Sequence, residues 1–177
     1  EIAIDGYYRF GNSLVLELKN RYSVFDHSDP NLVTGSRNRL DYSLSWDKRW
    51  TWGYIQPQAN FKHISYSLDA GDNMTLAERS PSISVPVYTV DAGMFFERDF
   101  NLLTNFQQIL EPRLFYIKSD FEDQSTLPDF DTSAFTPSYN QLFSDTRFSG
   151  GDRIADNDRL TIGLTSRFIN KTTGQER

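Results

Sequence analysis

The amino-acid sequence predicts an all-β fold, and within that class an antiparallel transmembrane β-barrel to which the chain contributes about seven strands. The first observation is a period of two: along residues 39–47, apolar and polar side chains alternate without a fault. The same alternation returns near the C-terminus. Because successive side chains of a strand point to opposite faces, each such strand has one apolar and one polar face. The apolar residues that we assign to lipid are Leu40, Leu44, Ile162 and Leu164.

The second observation is the order of the connections. The predicted strands are residues 2–9, 13–25, 38–47, 50–68, 82–97, 105–118 and 158–169. Short connections at 11–13, 47–49 and 98–104 alternate with long ones at 26–37, 69–80 and 121–157. Outer-membrane barrels have short periplasmic turns and long outer loops in this order. Since about seven strands cannot close a barrel alone, we expect residues 1–177 to be a partial barrel domain from a longer chain, with a long extracellular-type loop at about 120–157.

The third observation is the abundance of aromatic residues in a chain that is polar on average, with 14 Phe, 9 Tyr and 3 Trp at a mean hydropathy of −0.55. Trp46, Trp50 and Trp52 bracket one short turn, which is typical of the aromatic girdles of membrane barrels. The same composition suits a soluble β-sandwich that binds carbohydrate through aromatic side chains. A porin-like passive channel would share the strand pattern. Both alternatives remain open on these observations.

The charge distribution excludes one class of partner, and the lack of cysteine excludes two kinds of structural cross-link. Residues 120–157 hold eight acidic and two basic side chains, which accounts for the whole formal net charge of −6. Nucleic acid is therefore not an expected partner, because binding to phosphates needs a basic surface. With no Cys, this segment forms neither a disulfide framework nor a thiolate zinc site.

Parity assigns the two faces of the predicted strands. The even-numbered apolar set continues through Ile64, Tyr66 and Leu68, and we assign it to lipid. The odd-numbered set faces the lumen, where Glu111 and Arg113 are candidates either for contacting a plug or for a structural ion pair that aligns strands. Three prolines inside predicted strands each remove a ladder hydrogen bond, so bulges are expected at Pro57, Pro86 and Pro112.

The long loop at 120–157 is predicted to fold inward and pack over the lumen, since a connection of this length is usually either functional or disordered. Its candidate apolar anchors are Tyr139, Leu142, Phe143 and Phe148. The alternative is a mobile acidic surface loop.

No pattern of catalytic residues is present. The chain contains no Gly-x-Ser-x-Gly, no His-Glu-x-x-His and no phosphate-binding loop, and its two histidines are isolated, so no enzyme activity is predicted. Asp152, Asp156 and Asp158 could offer oxygen ligands to a divalent cation, but their spacing fits no EF-hand and aspartate is common in turns. We therefore predict neither a metal nor a cofactor.

Several motifs have a recognisable order and spacing: LEPRLFY at residues 110–116, YNQLF at 139–143, RFSGGDRI at 147–154, and LTIGLTSRF at 160–168 followed by TGQER at 173–177. They resemble the family of lipopolysaccharide-assembly outer-membrane proteins, LptD. VDAG at 90–93 and WGY at 52–54 are similar as well, and the resemblance is densest over residues 85–177.

This resemblance implies a barrel of about 26 strands in the outer membrane of a Gram-negative bacterium, preceded by a periplasmic jellyroll domain. It further implies an LptE-type lipoprotein plug, a periplasmic bridge that supplies lipopolysaccharide, and a lateral gate between the first and last strands. This chain would be a central run of strands, in contact with outer-membrane lipid, without the gate or the jellyroll. Its implied function is to form a structural part of the translocon that assembles lipopolysaccharide into the outer leaflet.

Overall fold

The structure, a computed structural model, describes residues 1–29, 31–69, 78–100 and 105–176. Its strands are β1 (Ile2–Phe10), β2 (Leu14–Phe25), β3 (Thr34–Trp46), β4 (Lys48–Trp50), β5 (Gly53–Asp69), β6 (Ser82–Met94), β7 (Phe96–Phe100), β8 (Phe106–Ser119), β9 (Ser133–Ala134), β10 (Phe148–Ser149) and β11 (Asn157–Asn170). One 3₁₀ helix spans Asn140–Phe143. Among the described residues, no helix is long and apolar enough to cross a membrane.

The seven long strands form one antiparallel sheet in the order β1-β2-β3-β5-β6-β8-β11. The short strands β4 and β7 extend this sheet by pairing with β5 and β8, and β9 pairs with β10 inside the long loop. The all-β antiparallel prediction is confirmed, with strand ends within a few residues of those expected. The turn predicted at residues 47–49 is wrong in position: Trp50 pairs with Gly53, so the chain reverses at Thr51 and Trp52.

The register gives the sheet two faces. Leu44 pairs with Ala59 and Ala59 pairs with Tyr88, so these side chains share what we call the apolar face. The same chain of pairs places Leu40, Leu114, Ile162 and Leu164 on it. The opposite side, which we call the loop-covered face, carries Arg37, Lys62, Asp91, Glu111 and Arg113.

The assignment of Ile64, Tyr66 and Leu68 to lipid is wrong. Ile64 pairs with Arg39 and Tyr66 with Arg37, so all three side chains lie on the loop-covered face, where each is at most 5% exposed. The reason is a reversal of parity, because even-numbered positions of β3 pair with odd-numbered positions of β5. The parity reverses again between β5 and β6.

Bulges at the three prolines are also not found, because the residue-to-residue register continues unchanged on both sides of each. Pro57 lies opposite the interruption between β3 and β4 in their pairing with β5. Pro112 lies opposite the interruption between β6 and β7 in their pairing with β8. Pro86 precedes Val87, where the pairing of β6 with β8 begins. Each proline thus lies where a ladder on one side is interrupted or ends, so its missing N–H leaves few acceptors unpaired.

The strands are strongly staggered across the sheet. A row of paired residues that starts near the turn end of β2 reaches β8 near its loop end. The row consists of Leu16, Leu44, Ala59, Tyr88 and Lys118. Such a stagger accompanies the tilt that a sheet needs to close into a barrel. The sheet is open here, because β1 and β11 pair with each other at no described residue.

The protein core lies between the loop-covered face and the loop of residues 120–156. Ile64, Val85, Val87 and Ile117 contribute from the sheet, and each is at most 2% exposed. Leu127 and Ile154 pack against them from the loop, with Phe130 and Phe143 at the margin. Burial of these side chains fixes the loop over the end of the sheet where the long connections lie.

Candidate functional site

A buried ion cluster, which we call the latch, holds the loop to the sheet. Arg37 on β3 donates from Nη1 and Nη2 to the two carboxylate oxygens of Asp131 at 2.7 and 2.8 Å, and from Nη1 to Asp152 at 2.6 Å. Tyr66 on β5 donates its hydroxyl proton to the same Asp152 oxygen at 2.7 Å. Asp152 has no exposed surface and Arg37 is 5% exposed. The latch therefore joins a desolvated pair, Arg37 and Asp152, to a partly exposed second carboxylate, Asp131.

The loop backbone completes the latch. The amides of Phe130 and Asp131 donate to the second oxygen of Asp152 at 2.7 and 2.8 Å, so this carboxylate accepts four hydrogen bonds in all. The Gly151 amide donates to Asp131 at 2.8 Å. The hydrogen bond from Arg37 is the main cause that lowers the pKa of the Asp131 carboxyl below its ordinary value. The Asp131 carboxylate is therefore held in the charged form.

Two glycines allow the loop to approach this closely. Gly150 has a φ of +70°, and a Cβ there would lie 2.2 Å from the Asp131 carbonyl oxygen. A Cβ on Gly151 would lie 2.5 Å from the guanidinium carbon of Arg37. Residues other than glycine are excluded by backbone conformation at the first position and by space at both.

The four predicted loop anchors have different environments. Phe143 packs edge-on against Phe115 at a centroid distance of 6.3 Å and lies under the guanidinium of Arg113 at 4.3 Å. Tyr139 contacts Phe143 at 5.3 Å but remains 55% exposed, and Leu142 is 46% exposed. Phe148 is half-buried in β10.

The stronger anchors were not found from the sequence. Phe130 stacks on Phe25 at 4.2 Å with an interplanar angle of 7°, and Leu127 and Ile154 are buried. From the sequence alone, Asp152 is a candidate only for a turn residue or a metal ligand. The available signal was the adjacent Gly150 and Gly151, a pair that marks a close backbone approach.

Glu111 and Arg113 both lie on the loop-covered face but do not pair with each other. Arg113 donates two hydrogen bonds to Asp91 on β6, at 3.0 and 2.6 Å. Glu111 accepts a hydrogen bond from Arg167 on β11. Each is therefore part of a cross-strand ion pair between neighbouring strands, an arrangement that favours strand alignment.

The three aspartates considered as metal ligands do not come together. Asp152 belongs to the latch, Asp156 pairs with Arg147 at 2.6 Å, and Asp158 pairs with Lys118 at 3.3 Å. In the described part of the chain, no group of three or more His, Asp or Glu side chains is placed to hold a metal ion.

The apolar face carries a belt without charged side chains. On β6 it runs from Pro86 to Met94 with Tyr88, Val90 and Ala92 between them, and on β3 it runs from Leu40 to Trp46. At about 3.4 Å per residue and a tilt of about 40°, the β6 stretch spans about 21 Å across a membrane, close to the roughly 25 Å band of known barrels. Within this charge-free belt Leu44, Ile162 and Leu164 are 45, 73 and 65% exposed, whereas Leu40 is half-buried.

The fold and these surfaces define a class of protein. A staggered antiparallel sheet with a charge-free apolar belt, a polar opposite face under a folded loop, and long connections at one end is a segment of a transmembrane β-barrel. A soluble sandwich would cover the apolar belt with a second sheet, and no described residue does so.

Comparison with known proteins gives the family. Residues 2–177 match the family model "LptD: LPS transport system D", and the chain belongs to this family. It is 42% identical over 180 residues to the LPS-assembly protein LptD of Hahella chejuensis, covering 97% of this chain and 22% of that protein. It is 43% identical over 152 residues to the LPS-assembly protein LptD of Alcanivorax borkumensis, covering 85% of this chain and 20% of that protein.

The family match extends well beyond residues 85–177, where the motifs are densest. The family is one of transport and assembly proteins, so the porin-like channel and the carbohydrate-binding sandwich are not favoured. The chain spans about a fifth of the length of the curated relatives it matches.

Proposed function

We propose that this chain is a structural part of the outer-membrane barrel that assembles lipopolysaccharide into the outer leaflet of a Gram-negative bacterium. The observation that carries the proposal is the charge-free belt on one face of a sheet whose other face is polar and covered by its own loop. Membership of the lipopolysaccharide-transport family supports it. The chain's role is architectural rather than enzymatic.

In this proposal Leu40, Leu44, Ile162 and Leu164 contact outer-membrane lipid. Glu111 and Arg113 face the lumen, and their ion pairs with Arg167 and Asp91 align the strands there. The loop of residues 120–156 folds over the lumen with Phe143 as one of its anchors. The latch at Asp131 and Asp152 supports an inward-folded loop, since a mobile loop would not bury a carboxylate completely.

The proposed partners follow from the family. Lipopolysaccharide is the cargo, and an LptE-type lipoprotein occupies the lumen of the complete barrel. The periplasmic bridge that delivers lipopolysaccharide contacts parts of the protein outside this chain. The polar side chains of the loop-covered face support a hydrated lumen.

A pair of neighbouring substitutions tests the proposal in the full-length protein, expressed in cells depleted of the native copy. Leu164→Arg places a charge in the belt and should cost about 2–4 kcal/mol of barrel stability if that face meets hydrocarbon. Thr165→Arg, one residue away, places the same charge on the loop-covered face opposite Glu111 and should be tolerated. The measurements are the amount of folded barrel in the outer membrane and the lipopolysaccharide exposed at the cell surface.

We expect Leu164→Arg to lower both quantities and Thr165→Arg to lower neither. Equal behaviour of the two variants would refute the assignment of faces. Normal barrel levels with normal surface lipopolysaccharide in Leu164→Arg would refute the proposed function of this segment.

A further inference from the structure

An apolar groove crosses the apolar face beside the hairpin of β4 and β5. Its lining includes the small or flat residues Ala92 and Pro112, together with the larger Trp50, Met94 and Leu114. The Trp50 and Trp52 rings stack at its mouth with centroids 5.2 Å apart and an interplanar angle of 12°. The groove is therefore a recess in the charge-free belt with two stacked indole rings at its entrance.

The groove has a direction set by the register. Ile55, Ala92, Leu114 and Ile162 pair in one row across β5, β6, β8 and β11. Three strand spacings make this row about 14 Å long. At a strand tilt of about 40°, about 9 Å of this length lies along the membrane normal, so the row ends within one leaflet, whose hydrocarbon is about 15 Å deep. Because the strands are staggered, the row begins near the tip of the β4–β5 hairpin and reaches the middle of β8 and β11. An object lying in it passes from the interface into the belt.

A cation lies at the mouth of the groove. Lys48 pairs in register with Ile55, and its ammonium lies 5.9 Å from the centre of the Trp50 ring. It forms no ion pair with any described residue. The nearest acid in sequence, Asp47, pairs with Arg49 at 3.1 Å. At the other end of the belt, by contrast, Lys118 is paired with Asp158 at 3.3 Å.

We infer that this groove is a binding site for one phospholipid with an anionic head group, whose phosphate meets Lys48 and whose acyl chain lies along Ala92 and Leu114. The inference rests on the proposed membrane placement of the apolar face. An unpaired ammonium beside stacked indoles at an interface is complementary to a lipid phosphate. The short turns of barrels are periplasmic, so the lipid belongs to the leaflet opposite the long loops.

The test uses the full-length protein in nanodiscs that contain either brominated phosphatidylglycerol or brominated phosphatidylcholine. Bromine quenches nearby tryptophan, and the signal of this cluster is the emission lost in the variant with Trp50→Phe and Trp52→Phe. We expect phosphatidylglycerol to quench this signal with about a five-fold higher apparent affinity, the effect of about one Lys near an anionic lipid. In Lys48→Gln the preference should fall below about two-fold.

Two further variants complete the design. Lys118→Gln removes an equal charge from the paired site at the opposite rim and should keep the five-fold preference. Ala92→Phe places a bulky ring in the lining of the groove and should reduce quenching by both lipids. An unchanged preference in Lys48→Gln, an equal loss in Lys118→Gln, or unchanged quenching in Ala92→Phe would each overturn the inference. Displacement of the brominated lipid by added lipopolysaccharide at equal phosphate would overturn the assignment to a phospholipid.

Folding of each variant is checked by the heat-dependent migration of the barrel on gels, so that loss of quenching is read only from folded protein. Failure of the underlying proposal gives a different result. Absence of quenching by either lipid would refute the membrane placement of this face. Quenching by both lipids without a head-group preference would refute the Lys48 site alone.

Discussion

The latch can be broken at Arg37 without altering the pairing of the strands. Arg37→Leu removes three hydrogen bonds from the guanidinium and leaves Asp152 buried with only Tyr66 and two backbone amides as donors. Removing one partner of a buried pair costs about 3–5 kcal/mol, because the remaining charge is desolvated and uncompensated. Asp131 contributes less, since its side chain is 37% exposed. We therefore expect Arg37→Leu to cost about 3 kcal/mol, the lower end of this range.

The loss of about 3 kcal/mol should lower the free energy needed to open the loop, and it should leave the stability of the sheet unchanged. About 3 kcal/mol corresponds to a change of roughly 10²-fold in the closed-to-open ratio of the loop. Limited proteolysis of the full-length protein in nanodiscs measures this ratio, because cleavage follows the open population when opening is fast. We expect cleavage within residues 120–156 to accelerate by about that factor.

The matched control is Arg21→Leu. Arg21 also lies on the loop-covered face, where it pairs with Asp5 at 2.5 Å, but no hydrogen bond or ion pair joins it to a described residue of the loop. Because this pair is exposed to solvent, its loss should change the cleavage rate of the loop little. Cleavage of the loop in Arg37→Leu no faster than in Arg21→Leu would refute the reasoning.

A second variant separates charge from packing. Adding Asp152→Asn to Arg37→Leu replaces the unpaired carboxylate with a neutral amide of the same shape, which can still accept from the backbone amides. Slower cleavage than in Arg37→Leu alone is expected, because the uncompensated charge is gone. No recovery at all would assign the effect of Arg37 to its packing on Phe25, over which it lies at 4.9 Å.

Two further results are expected. The pKa of Asp131 is lowered in the folded protein, so its contribution to loop closure is complete above the unfolded pKa of about 3.9 and is lost as pH falls toward the lowered value. Hydrogen exchange of the loop amides, corrected for the intrinsic pH dependence, should show constant protection from pH 8 to 5 and weaker protection only below about 4; loss of protection already at pH 6 would contradict this assignment. Gly150→Ala should lower the free energy of unfolding by at least about 2 kcal/mol, because a Cβ there would overlap the Asp131 carbonyl oxygen. Gly11→Ala is the control: Gly11 has a similar positive φ but open space around it, so this substitution should cost only about 1 kcal/mol. Equal costs in thermal unfolding would show that the overlap is relieved by movement of the loop.

The sequence was sufficient for the strands because local alternation determines them. It failed at Ile64, Tyr66 and Leu68 for a physical reason. At the loop end of the sheet the inward face is covered by protein, so apolar side chains there indicate a core rather than lipid. The signal for this change of face is Ser65 and Ser67, the polar residues that alternate with the three apolar ones. They lie near the end of the strand, at the expected depth of the membrane interface, where polar side chains can face outward.

The latch could not be predicted from spacing. Arg37 is 94 residues from Asp131 and 115 from Asp152, and no local period relates positions so far apart. The prolines show a similar limit: Pro57 and Pro112 read as defects until the interruptions in the neighbouring ladders are known. Short-range pattern therefore predicts elements, whereas contacts between distant segments determine the site.

The positions of the latch partners also constrain the order of assembly. Arg37 and Tyr66 lie on neighbouring strands, and they are brought together only when β3 pairs with β5. Asp131 and Asp152 meet them from a loop that starts after β8 and ends before β11. Since a lone Asp152 would be costly to bury, the loop can close stably only over a sheet that is already paired. A closed loop therefore indicates that β3 and β5 have paired in the correct register. A variant that shifts this register should leave the loop open even though every latch residue is present.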